Sequence, residues 1–157
     1  MGVLDGIKVL EMARVPPAEL PGMFLADMGA DVLKIETPPE ATEDAATKRR
    51  AAFAYVNRNK RSLALNMKAP EARAIFGKLA ATADVIVEGF RPGVMKRLGA
   101  DYATLSAANP RLVYCSLSGF GHNGPYKDYP AHDGNYLSLA GVLNPVSYTH
   151  LRATRPY

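Results

Sequence analysis

Short apolar runs alternate along this chain with longer segments of helical period. "GIKVLEMA" (residues 6–13) is a short apolar run with β-branched residues and reads as a strand. "PPAELPGMFLADMGA" (16–30) follows as a helix, with Leu20, Met23, Phe24 and Met28 at helical spacing and Gly29 as its stop. Pro21 weakens the first turn, which points to a helix start at Pro21. "DVLKIE" (31–36) is a second strand. A strand–helix–strand unit of this length predicts a parallel pair with a right-handed crossover.

Residues 38–58 carry two prolines, mixed charge and no clean period, and read as a surface excursion with room for one short helix. The alternation then resumes. "RSLALNM" (61–67) is a strand, "APEARAIFGKLAATA" (69–83) a helix, and "DVIVEGF" (84–90) a strand. Two short helices, "PGVMKRLG" (92–99) and "YATLSAANP" (102–110), precede a last strand in "RLVYCSLSGFG" (111–121). A Gly/Asn/Pro loop leads to a closing helix that starts near His132. Successive βα units predict an α/β fold, a Rossmann-like parallel sheet with flanking helices. The helical pattern of "NYLSLAGVL" is cut by Asn144-Pro145, and residues 144–157 have no period at all. The expectation is one domain over 1–143 and a non-native or disordered tail over 144–157, to be kept out of fold reasoning.

Composition narrows the classes. With 48% hydrophobic and 22% charged residues, the chain is that of an ordinary soluble globular domain. The net charge of +4 is not gathered into a basic tract, so an acidic small molecule explains it at least as well as nucleic acid does. Neither a nucleic-acid nor a membrane partner is expected. No apolar run reaches the ~18 residues of a span and no signal peptide opens the chain, so a cytoplasmic protein is the default. The single cysteine, Cys115, excludes a disulfide within the chain, and its setting reads as a buried strand carrying an inert thiol.

The chemistry of a nucleotide enzyme is missing. The first βα turn, "EMARVPPAELPG", holds no G-x-G-x-x-G, and no Walker loop appears. Candidate anion-binding groups are instead basic residues near strand ends: Arg14, Arg58, Lys60, Arg61, Lys68, Arg91, Lys96 and Arg97. For most of these, a solvated surface cation is the better reading. Arg91 differs, because "EGFRPG" puts it between a strand end and a Pro-initiated helix, where free backbone N–H groups also attract anions. Arg14 likewise follows a strand directly and has the same edge available. His132 stands where the closing helix begins, a setting that favours a neutral imidazole base and offers N–H groups to an oxyanion. The competing reading has Asp133 capping that helix and His132 pointing at solvent. His122 reads as a turn residue.

Six blocks carry a resemblance: "LDGIKVLEMARVPP", "FLADMGADVLKIE", "NRNKRSLALNMK", "ADVIVEGFRPGVMKRLG", "NPRLVYCSLSGFG" and "GPYKDYPAHDGNYLSLAGVL". In this order they resemble the N-terminal part of the class III CoA-transferase family, which includes the α-methylacyl-CoA racemases. They cover residues 2–143. The stretch "AHDGNYLSLAGVL" is similar to the racemase branch, with Ala131 in place of a glycine. The resemblance implies that His132 exchanges the α-proton on one face of a 2-methylacyl-CoA thioester. The enolate oxygen would then meet the helix start at Asp133. It also implies CoA contacts at Arg14, Lys60, Leu65, Lys68, Gly89, Phe90, Arg91 and Arg97, with the two arginines 14 and 91 on phosphates and Leu65 and Phe90 beside the adenine. No metal and no prosthetic group is implied, since coenzyme A enters as part of the substrate.

Members of that family are well over twice this length and form interlocked homodimers. The expected protein is therefore a truncated racemase whose second catalytic carboxylate lies beyond residue 143. A truncated chain is expected to be inactive and poorly stable by itself. Two alternatives stand beside this reading: a CoA-transferase working through an acyl-aspartate anhydride, and an inactive CoA-binding fragment.

Overall fold

The computed structural model describes residues 2–38, 54–130 and 132–142. They fall into two units, residues 1–118 and 119–157. The first is built on five parallel strands: β1 (Lys8–Met12), β2 (Asp31–Glu36), β3 (Lys60–Ala64), β4 (Val85–Glu88) and β5 (Val113–Ser116). Their order is β3-β2-β1-β4-β5, so the chain reverses its direction of travel across the sheet between β1 and β4. The helices are α1 (Pro16–Asp27), α2 (Pro70–Ala80), α3 (Val94–Arg97) and α4 (Tyr102–Ala108), with a 3-10 turn at Ala54–Asn57. This is the doubly wound layer that the periodicity predicts.

Side chains alternate across each strand, so the sheet has two faces of different chemistry. One face is apolar. Leu10, Met12, Ile35 and Ile86 pack there with Phe76 of α2, Met95 of α3 and Leu105 of α4. Burial of each such large side chain is worth about 1.5–3 kcal/mol. The other face holds Val9, Val32 and Val87 against Ala26 of α1, and beside them Glu11 and Lys34.

Four details differ from the sequence-based expectations. Helix α1 begins at Pro16, because a proline is accommodated in the first turn, and it continues through Pro21. Its buried residues are Ala18, Glu19, Gly22, Met23 and Ala26, while Phe24 is 56% exposed and Met28 is exposed too. Small residues let this helix lie close on the sheet, with Met23 inward and Phe24 and Met28 turned outward. Cys115 is exposed rather than buried. It shares a face of β5 with the exposed Val113, and β5 is the edge strand of the described sheet. Helix α3 is a single turn introduced by Gly93 at φ 81°, not a Pro-initiated helix. Residues 39–53 and 143–157, which include most of the expected excursion and the tail, lie outside the described residues.

In the second unit, helix α5 (Asp133–Leu139) has seven residues and none of them is buried. Leu139 and Val142 are exposed. Phe120 packs on Tyr126 and Tyr136, with ring centroids 5.8 and 5.4 Å apart, and Tyr126 packs on Tyr129 at 5.6 Å. Gly119 leaves room for the Tyr136 hydroxyl, which a Cβ there would strike.

Candidate functional site

The point where strand order reverses opens a crevice beyond the carboxyl ends of the two diverging strands, and ligands of open α/β sheets bind there. In this chain those strands are β1 and β4. The Gly89 N–H donates to the Met12 carbonyl at 3.2 Å, tying the two strand ends together. Arg14 and Arg91 each follow one of these strands within three residues and both are exposed. Gly89 has a packing reason to lack a side chain, since a Cβ would collide with the Ala18 Cβ of α1. Phe90 is half-buried against the apolar core, and Leu65 is buried within that core.

Lys68 and Leu65 follow β3 and share the carboxyl edge, two strands away from β1. Arg97 is exposed on α3, with Nη1 3.5 Å from where a Gly93 Cβ would stand. At the start of α3 the Val94 N–H is already engaged, donating to the Arg91 carbonyl at 3.1 Å, and the helix is a single turn.

Arg58, Lys60 and Arg61 lie elsewhere. They precede or open β3, at the amino edge of a parallel sheet. Arg58 pairs with Asp27, whose carboxyl is held below the usual range chiefly by the hydrogen bond from that guanidinium. Arg61 pairs with Asp31 at 2.6 Å. The Lys60 side chain is only 2% exposed and points under α1, where its Nζ meets Glu11 Oε2 at 2.6 Å and the Glu19 carbonyl at 2.8 Å. Lys34 completes the cluster, bonding Glu19 at 2.5 Å and Asn57 at 2.8 Å. Burial pushes the Glu11 carboxyl up and the Lys60 ammonium down, against the opposing pull of their pairing. Gly22 makes space for the pair, because a Cβ there would overlap the Glu11 carboxylate. This buried quartet was not singled out from the sequence, although charged residues inside "KVLEM" and "DVLKIE" were its visible sign. A pocket of about 240 Å³ borders it, lined by Lys34, Asn57, Lys60 and Arg61 among others.

His132 is the N-cap of α5, so Asp133 occupies the first turn instead of capping the helix. Asn135 Oδ1 accepts the His132 backbone N–H at 2.9 Å, and the His132 carbonyl accepts the Asn135 N–H at 2.9 Å. These reciprocal bonds fix the backbone of His132 while its side chain stays exposed. Among the described residues no group of three or more His, Cys, Asp or Glu is disposed to hold a metal ion, and no helix is long and apolar enough to cross a membrane.

Residues 4–150 match the model of CoA-transferase family III. The chain belongs to this family. It is 39% identical over 153 residues to a succinate–glutarate CoA-transferase of Agrobacterium fabrum, covering 90% of this chain and 38% of that protein. It is equally 39% identical over 144 residues to an alpha-methylacyl-CoA racemase of Mus musculus, covering 92% of this chain and 35% of that protein. The solved structure of a CAIB/BAIF family protein from Brucella suis superposes with a TM-score of 0.83 at 36% identity. It covers 90% of this chain and 40% of the other. This family III chain thus spans about two-fifths or less of the length of these relatives, and its match runs through the β1 and β4 strand ends and α5 alike.

Proposed function

We propose that this chain is the CoA-binding and one-base portion of an α-methylacyl-CoA racemase, a metal-free isomerase acting on 2-methylacyl-CoA thioesters. The observation that carries the reading is His132, exposed at the start of α5 on a backbone pinned by Asn135. In this reading CoA lies across the carboxyl ends of β1 and β4, with Arg14 and Arg91 on its phosphates and Phe90 beside the adenine. The His132 imidazole takes the proton from C2, and the C–H electron pair moves into the thioester as an enolate. A carboxylate further along the full protein returns a proton to the opposite face, inverting the centre. The parent enzyme is read as a cytoplasmic homodimer with no prosthetic group.

Lys60 enters this reading only as a buried support for α1, since its ammonium is committed to Glu11. The second reading, CoA transfer between carboxylic acids, is favoured by the equal identity to a succinate–glutarate CoA-transferase and an acetyl-CoA:oxalate CoA-transferase of Acetobacter aceti. A binding-only fragment is the third. One experiment separates them: a 2-methylacyl-CoA is incubated in D2O with a free carboxylic acid and a form of the protein carrying the family's remaining length. Deuterium at C2 without CoA appearing on the acid supports racemisation. CoA on the acid without exchange establishes the transferase, and neither outcome leaves binding alone.

A further inference from the structure

We infer that Glu88 is a positioning residue, which sets the turn carrying Arg91 and so the affinity of the site for CoA phosphate. This rests on the reading of Arg91 as a phosphate partner. Glu88 closes β4, is 2% exposed, and lies in register between Met12 of β1 and Ser116 of β5. A carboxylate at the end of the apolar run "VIVE" is costly to bury unless its oxygens are engaged. Both are engaged. Oε1 accepts the Ser116 hydroxyl, and Oε2 accepts the Phe90 N–H at 2.8 Å.

The second bond is the informative one. Two successive N–H groups of the turn are thereby fixed, Gly89 to the Met12 carbonyl and Phe90 to the Glu88 side chain. On the far side the Arg91 carbonyl accepts the Val94 N–H at 3.1 Å. Arg91 is bracketed between these anchors, and its exposed guanidinium starts from a defined backbone position. Glu88 is not itself a phosphate ligand, because it is buried and carries the wrong charge. Its carboxylate instead ties β5, through Ser116, to the turn that follows β4.

The test is a mutant cycle on the 157-residue chain, read as CoA affinity by calorimetry, with circular dichroism confirming the fold. Glu88→Ala is expected to weaken CoA about tenfold, the scale of losing a charge-assisted hydrogen bond. Glu88→Gln, which keeps an acceptor for Phe90, should recover most of that loss. In an Arg91→Ala background, Glu88→Ala should add nothing, because the two act through one contact. Additive losses, or no loss in Glu88→Ala while Arg91→Ala is impaired, would overturn the role of Glu88 alone. Absent CoA binding by the wild type, or full affinity in Arg91→Ala, would overturn the CoA-phosphate reading and this inference with it. Should Glu88→Ala fail to fold, Ser116→Ala serves in the same cycle. It is expected to cost about threefold, vanishing in the Arg91→Ala background, and an undiminished cost there would overturn the proposal.

Discussion

The two units of the chain differ in whether they bury any of their charges. In residues 2–118, Glu11, Glu19, Lys34 and Glu88 are buried, and the sheet is covered by packed helices. In residues 119–142 no described residue is buried, and the ionisable groups His132 and Asp133 stand exposed on a seven-residue helix. The first unit uses its buried charges to hold helices and strand ends in place, and leaves Arg14, Arg91 and Arg97 exposed. The second buries none of its charges among the described residues. On the proposed reading, CoA binding belongs to the first unit and proton transfer to the second, and substitutions in one unit should leave the other property intact.

The largest expected effect is on proton transfer. In a form carrying the family's remaining length, His132→Ala should cut deuterium exchange from one enantiomer of the thioester by about 10²–10⁴-fold. CoA affinity should not change. Exchange unaffected for both enantiomers would remove the base from the second unit. Next comes stability of the first unit. Lys60→Met strands the Glu11 carboxylate in the interior, where breaking a buried pair costs about 3–5 kcal/mol in chemical denaturation. Adding Glu11→Leu should return much of that loss, since both partners are then gone.

A smaller effect separates affinity from stability. Arg91→Ala should weaken CoA by about 1.5–3 kcal/mol, and Arg91→Lys by less, with no change in the melting temperature. Equal affinity by calorimetry would return Arg91 to a solvated surface cation.

The smallest effects are in the pH dependence of stability. Burial raises the Tyr114 phenol well above its ordinary 10.0, helped by the charges of Glu88 and Asp101, and its hydroxyl donates to the Ala100 carbonyl at 3.0 Å. A folded value above the unfolded one gives stability that is full below pH 10 and declines as the pH rises further. Tyr114→Phe should cost about 1 kcal/mol at neutral pH and flatten that alkaline decline. Asp27 has the opposite sign. Its lowered carboxyl contributes stability above its ordinary 3.8 that is lost as the pH falls through the folded value, so Asp27→Asn should flatten the acid limb of melting curves.

The apolar face of the sheet was readable because its residues recur with the period of the element that carries them. Leu10, Ile35, Ile86 and Phe76 need no knowledge of their partners to be assigned to a core. The α1 face was not readable in the same way. Glu11 and Lys60 are 49 residues apart, and neither signals burial until the other is found. The same holds for α1 itself, where the rule of large apolar residues inward fails. Ala18 and Gly22 allow a close approach that Phe24 would prevent. Among the candidate site residues, Arg14 and the Gly89–Arg91 turn were legible as strand-end positions, and the sheet order brings their strands side by side. The edge on which Lys60 lies was not legible, because a cation near a strand reads alike at either edge, and only the parallel register assigns it to the amino edge. Glu88 was missed because a carboxylate closing an apolar strand resembles the start of a solvated loop.

The location of CoA is the central claim, and an amide-resolved NMR titration of the isotopically labelled chain with CoA tests it most directly. The account predicts that shift changes concentrate at residues 12–14 and 88–93, the ends of β1 and β4, with the Arg91→Ala chain losing them. Changes confined to residues 54–62 around the β2–β3 pocket, or no changes on addition of CoA, would contradict it.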